Sequence, residues 1–165
     1  MRIAALIAAA CLVLASIGSG KAAPAPVKVT VQAHCISLGE HVELGLTVAN
    51  DSDADIDVSR FTLFSLCGGA TVSTPKGPVP LYKLSPGAIW DPAPPSVDLV
   101  RIPAHGAASL ACGREEPLTE AAGKMVTPGS APILKLSGTV GHHDGPRIVD
   151  SPVAWEGRVY VAPKK

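Results

Sequence analysis

Closely spaced prolines and glycines are the feature that most constrains what this chain can fold into. Its 165 residues include sixteen prolines and sixteen glycines, spread along most of its length. Both residue types interrupt helices, and proline also interrupts central strands. The sequence therefore predicts short elements joined by turns rather than long helices.

The first 22 residues are predicted to be a secretory signal peptide. Arg2 supplies a positive charge, and residues 3–17 form an apolar run. Gly20 and Ala22 then place small residues at the −3 and −1 positions of a cleavage site. This pattern predicts cleavage after Ala22 and a secreted or periplasmic protein.

The apolar run is expected to be removed rather than kept as an anchor. It is too short for a retained membrane span. Cys11 lies within it, but three alanines precede Cys11, where a lipoprotein signal carries a larger aliphatic residue. We therefore expect neither a lipid anchor nor a membrane span after cleavage.

The mature chain, residues 23–165, has the size of one domain. Its 143 residues carry 12 basic and 14 acidic side chains, a net charge of about −2. Only 4% of the whole chain is aromatic. This balance argues against nucleic acid as a partner, because both basic patches and stacking platforms are missing.

Short segments in which apolar and polar residues alternate predict strands with one buried face. The predicted strands are residues 27–33, 42–48, 56–64, 97–102, 107–112, 133–140 and 153–161, with residues 70–73 as a continuation of the third. A bulge is expected near Arg60, because the apolar positions change phase there. The predicted core includes Leu44, Leu46, Val48, Leu110, Leu136, Trp155 and Val159. Residues 116–122 are the only predicted helix, with Pro117 in its first turn and Gly123 at its end.

Two segments carry a resemblance to a known class of domain. Residues 42–52 resemble the second strand and turn of bacterial secreted immunoglobulin-like domains. Residues 102–112 resemble the proline–glycine turn and strand that follow later in such domains. The seven to eight short strands predict an all-β fold, a β-sandwich or a small barrel. The resemblance implies the first of these, an immunoglobulin-like antiparallel β-sandwich. It implies no particular function, since such folds carry many.

A long proline-rich loop is predicted over residues 74–95. Seven prolines exclude this stretch from a central strand. The loop carries Tyr82, Ile89 and Trp90, which we interpret as a binding surface for a protein or cell-envelope partner. The alternative is that these side chains pin the loop onto the sandwich.

The three mature cysteines are Cys35, Cys67 and Cys112. Each lies at the end of a predicted strand. If these strands run antiparallel to residues 42–48, all three cysteines lie at one end of the sandwich. The pairings Cys35–Cys67, Cys35–Cys112 and Cys67–Cys112 are all open. Cys67–Cys112 is favoured, because glycines follow both residues and permit close approach of the backbone.

The same end of the sandwich supports a second hypothesis, a metal or thiol-redox site. His34, Cys35 and His41 would lie there beside the other two cysteines. Thiolate and imidazole ligands suit zinc or Cu(I). No Cys-x-x-Cys pair is present, however, and the residues come from separate elements.

Other polar motifs are interpreted as parts of strands and turns rather than as ligand sites. His142 and His143 are adjacent on a strand and should face opposite sides, which disfavours chelation of one ion. The acidic residues at 51, 53, 55 and 57 are interpreted as a polar turn rather than a calcium loop. Asn50 begins a glycosylation sequon.

No nucleophile elbow or phosphate-binding loop is present in the sequence. The sequence therefore predicts a secreted, non-catalytic binding or accessory protein without a cofactor. The alternative is a periplasmic metal- or thiol-handling protein that uses the cysteine end.

Overall fold

The computed structural model describes residues 27–83, 99–114, 116–144 and 147–162. Within those ranges, strands dominate and the predicted all-β class is confirmed. The strands are β1 Val29–Leu38, β2 Val42–Asn50, β3 Ile56–Ser59, β4 Thr71–Thr74, β5 Gly77–Pro80, β6 Leu99–Ile102, β7 Ala107–Arg114, β8 Ile133–Asp144, β9 Arg147–Arg158 and β10 Tyr160–Ala162; the helices are α1 Arg60–Gly68 and α2 Glu120–Met125.

The strands form two sheets. Sheet one has the order β10–β1–β2–β7, with β10 parallel to β1 and the other neighbours antiparallel. Sheet two has the order β5–β4–β8–β3–β6. Both β4 and β3 pair with one edge of β8, and β9 pairs with the other edge. The β8–β9 hairpin is its longest ladder, from Ile133 opposite Arg158 to Asp144 opposite Arg147.

One hydrophobic core draws side chains from both sheets. Leu44, Leu46 and Val48 of β2 are fully buried at alternate positions, as the period of two predicts. Leu136 and Val159 of the predicted core are buried as well. Leu110 and Trp155 pack against the core but are only half-buried. Both belong to edge strands, β7 and β9, where a neighbouring strand covers one side only.

The prediction of a strand over residues 56–64 with a bulge near Arg60 is wrong. The strand ends at Ser59, and helix α1 begins at the next residue. Leu63, Leu66 and Cys67 point to the core from this helix, at a spacing of three and four residues. That spacing fits a helix and not a strand, so the change of phase marks a change of element.

The first part of the predicted loop 74–95 forms a hairpin. Residues Gly77–Pro80 are strand β5, which pairs with β4 at the outer edge of sheet two. Its prolines are tolerated there because an edge strand needs hydrogen bonds on one side only. Gly77, with φ of 113°, takes the left-handed conformation that the turn requires.

The predicted helix over residues 116–122 lies further along the chain, as α2 Glu120–Met125. Thr119 is its N-cap, and its hydroxyl accepts a hydrogen bond from the Ala122 backbone N–H at 3.2 Å. Pro117 therefore precedes the helix, and Gly123 lies within it rather than ending it.

Cys67 and Cys112 form a disulfide, the pairing that the sequence favours. It joins α1 to β7 and so ties the chain of sheet two to sheet one. Both cysteines are almost completely buried. The bond closes a separation of 45 residues and leaves Cys35 as the free cysteine among the described residues.

Candidate binding groove

Of the three residues predicted to form a binding surface, Tyr82 is the one that lies in the described part of the chain. Tyr82 is 1% exposed and belongs to the core, where it forms an isolated bridge with Leu118. Its aromatic ring therefore packs inside the protein, and the prediction of Tyr82 as a contact residue is corrected. Ile89 and Trp90 lie outside the described residues, and their role stays a prediction.

The cysteines predicted to lie together at one end of the sandwich are on opposite faces of sheet one. Cys112 and Cys35 lie opposite the adjacent β2 residues Leu44 and Gly45. Cys112 faces the core, whereas Cys35 lies on the outer face beside Gly45. The predicted five-residue metal site is therefore not assembled, because two of its cysteines are bonded to each other on the inner side.

The two adjacent histidines of β8 face opposite sides, as predicted. His142 is 1% exposed and points inward, and its two ring nitrogens have no hydrogen-bond partner among the described residues. His143 is half-buried in register with Asp57. The pair cannot chelate one ion, so it is not a metal site.

The acidic turn that follows β2 is engaged in local contacts. Asp55 accepts hydrogen bonds from the Ala104 backbone N–H and from Arg101, each at 3.0 Å. Asp53 lies 2.9 Å from His105. The Ala104 hydrogen bond, and then that of Arg101, lower the pKa of Asp55 below its ordinary value. These contacts support the interpretation of a polar turn.

A groove that the sequence did not reveal lies between β1 and β9. It has a volume of about 300 Å³ and is called the β1–β9 groove below. Its lining consists of Val29, Thr30, Val31, Gln32, Pro152, Val153, Ala154 and Trp155. The three valines are buried and form its floor, whereas Gln32, Pro152 and Ala154 are exposed.

The groove exists because the chain passes from sheet two to sheet one next to it. After β9, in sheet two, Val159 leads into β10, which joins sheet one beside Cys35, Ile36 and Ser37 of β1. Ahead of this crossing, β1 and β9 lie close together but form no ladder. In the described chain, the first half of β1 and the outer edge of β9 thus have no partner strand on the groove side.

Unpaired strand edges give the groove its chemistry. In an antiparallel ladder, alternate residues direct their N–H and C=O groups away from the partner strand. The first half of β1 therefore offers main-chain donors and acceptors beside an apolar floor. The Trp155 indole adds an aromatic wall, and its ring lies over Gly157, whose missing side chain leaves the space.

Two other cavities are larger. One, of about 380 Å³, lies at the β1–β2 turn beside Glu40, His41 and Glu43. The other, of about 410 Å³, lies between α2 and the β4–β5 hairpin, where Lys124 and Glu120 already form an ion pair. His41, the third predicted metal ligand, therefore lines the cavity at the β1–β2 turn.

No family model, curated protein or solved structure matches this chain. Among the described residues, neither helix has the length and apolar content needed to cross a membrane.

Proposed function

We propose that this protein is a secreted or periplasmic, non-catalytic binding protein with an immunoglobulin-like sandwich, and that it holds an extended peptide segment in the β1–β9 groove. The observation that carries the proposal is the pair of strand edges that have no partner strand among the described residues, beside a half-exposed tryptophan. The signal-like first 22 residues support the location. The two packed sheets support the architecture.

An extended peptide suits the groove better than a compact small molecule. A strand that adds to an open edge gains main-chain hydrogen bonds along its length, and alternate side chains enter the apolar floor. The groove volume is at the lower limit for pockets that enclose drug-sized ligands. Side chains of two or three residues fit such a space, while the rest of the peptide lies along the edge.

The proposal is tested by selecting peptides from a random displayed library on the mature, disulfide-intact protein. Ala154 is exposed and lines the groove, so Ala154→Arg places a long charged side chain across it. We expect peptides that bind the wild type to lose at least tenfold in affinity for this variant. The matched control is Ala107→Arg, which adds the same side chain at an exposed position of β7, on the far edge of sheet one.

Three outcomes contradict the proposal. In the first, the library gives no peptide that binds the wild type. In the second, Ala154→Arg binds the selected peptides as well as the wild type does. In the third, Ala107→Arg loses as much affinity for them as Ala154→Arg. Circular dichroism and the melting temperature of each variant confirm that the sandwich is intact.

A further inference from the structure

An irregularity in β1 places two metal-binding side chains on one face of sheet one. Ala33 lies opposite Leu46 of β2, but Cys35, two residues later, lies opposite Gly45. His34 is therefore the extra residue of a β-bulge, and two residues of β1 face one residue of β2. In a regular strand, His34 and Cys35 would point to opposite faces.

Both side chains lie over Gly45. A Cβ atom placed on this glycine would be 2.5 Å from the Cys35 Sγ and 2.7 Å from the His34 Nε2. The sulfur and the nitrogen are therefore within 5.2 Å of each other, on the same side of the sheet. Any other residue at position 45 would occupy the space between the two atoms, so Gly45 forms a cradle beneath them.

The surroundings leave this cradle accessible. His34 is exposed and Cys35 is half-exposed. In register, Cys35 lies beside Tyr160 of β10, which is 51% exposed, and Gly45 lies beside the exposed Ala111 of β7. The donor atoms thus have an aromatic neighbour on one side and small residues on the other.

We propose that His34 and Cys35 form a two-donor site for a soft monovalent cation, Cu(I) or Ag(I), held through the Cys35 Sγ and the His34 Nε2. Soft thiolate ligands select such ions over hard cations. An ion held in line between sulfur and nitrogen needs the donors roughly 4.4 Å apart, taking the bond lengths of the comparable zinc ligands. That separation is within reach of the two side chains.

The small donor set points to a cation of low coordination number. Among the described residues, no group of three or more His, Cys, Asp and Glu side chains could hold an ion. Structural zinc sites need four such ligands, whereas Cu(I) and Ag(I) are stable with two. On binding, the Cys35 thiol loses its proton to the solvent and the metal–sulfur bond forms, with no change in oxidation state.

The site is tested by titrating the mature protein with Ag(I) in a chloride-free buffer without reductant, so that the Cys67–Cys112 disulfide stays intact. Native mass spectrometry gives the stoichiometry, and calorimetry gives the affinity. We expect one Ag(I) per chain. Cys35→Ser should abolish binding, and His34→Ala should weaken it at least tenfold although the thiol remains. Competition with a chromophoric Cu(I) chelator under anaerobic conditions should give the same order of variants.

Two further variants separate a built site from an ordinary surface thiol. Gly45→Ala fills the cradle and should weaken Ag(I) binding, while His41→Ala removes an exposed histidine at the β1–β2 turn and should leave it unchanged. Equal affinity of His34→Ala and the wild type would overturn the proposal, because Cys35 would then bind as a lone thiol. A loss in His41→Ala as large as that in His34→Ala would also overturn it. If Gly45→Ala does not fold, the two histidine variants decide.

Discussion

At the scale of single residues, Asn50 shows how a surface motif can be a structural element. It begins a sequon, but its side chain is completely buried. Its Nδ2 donates to the carbonyl oxygens of Ala54 at 2.8 Å and Pro103 at 3.0 Å, and lies 3.2 Å from that of Ile102. Its Oδ1 accepts from the Ser52 backbone N–H at 3.1 Å. Asn50 therefore joins the turn after β2 to the end of β6.

We expect Asn50→Ala to lower the free energy of unfolding by about 2–4 kcal/mol, because several buried polar groups lose their partner. Chemical denaturation measures the loss. Asp51→Ala, at the exposed neighbouring position, is the control and should change stability by no more than about 0.5 kcal/mol. An Asn50→Ala protein as stable as this control would mean that the network contributes nothing.

Asp55 predicts a dependence of stability on pH. The hydrogen bonds from the Ala104 backbone N–H and from Arg101 lower its pKa below 3.8 in the folded protein. A lowered pKa stabilises the fold above the unfolded value, and this contribution is lost as the pH falls through the folded value. Asp55→Asn should therefore be less stable than the wild type near neutral pH.

The difference between wild type and Asp55→Asn should narrow as the pH falls below the ordinary carboxyl pKa and vanish below the lowered pKa of folded Asp55, as urea midpoints at several pH values would show. Asp51→Asn removes the same charge from the same turn and serves as the control. A difference that stays constant across this range would show that the Asp55 charge has no role.

At the scale of elements, the bulge in β1 and the helix α1 were both signalled by a change in apolar phase. Apolar residues occupy positions 29, 31 and 33, and then 36, on either side of the bulge. A similar change near Arg60 was interpreted as a bulge, although a helix begins there. A break in the period of two of the apolar residues therefore shows only that the strand is irregular there. The spacing of the next three or four apolar residues then distinguishes a bulge, after which the period of two resumes, from a helix, where the spacing is three or four.

The disulfide is predicted to be the main covalent support between the sheets. Replacing both Cys67 and Cys112 with Ala should lower the free energy of unfolding by about 2–5 kcal/mol, since the unfolded chain gains freedom over a separation of 45 residues. Denaturation of the oxidised wild type and the double variant gives the value. Cys35→Ala is the matched single variant; a loss of the same size in that protein would refute the assignment of the stabilisation to the disulfide.

At the scale of the whole molecule, the sequence predicts the class and much of the core, but neither the β1–β9 groove nor the pairing of His34 and Cys35 over Gly45. Local alternation identifies inward residues such as Leu44 and Leu46 because each strand carries its own pattern. Which strand lies at an edge depends on pairings between distant segments. The half-burial of Trp155, and the groove that results where the chain leaves sheet two after β9, therefore have no local signal.

The juxtaposition of His34, Cys35 and Gly45 depends on the register between β1 and β2. The sequence placed the first two in a candidate metal site because they are adjacent along the chain. It could not place Gly45 beneath them or show that Cys112 lies on the other face. The register between β1 and β2 is therefore needed to identify His34 and Cys35 as a specific pair of donors.

Binding of a peptide beside Trp155 can be followed by the fluorescence of the two tryptophans, Trp90 and Trp155. Trp90→Phe leaves Trp155 as the single reporter, and Trp155→Phe leaves Trp90. Each protein is titrated with a tryptophan-free peptide from the library selection. We predict that the emission of Trp155 moves to shorter wavelength and saturates with the binding curve, while that of Trp90 stays constant. A shift of the Trp90 emission with no change at Trp155 would place the contact near Trp90 and contradict binding in the β1–β9 groove.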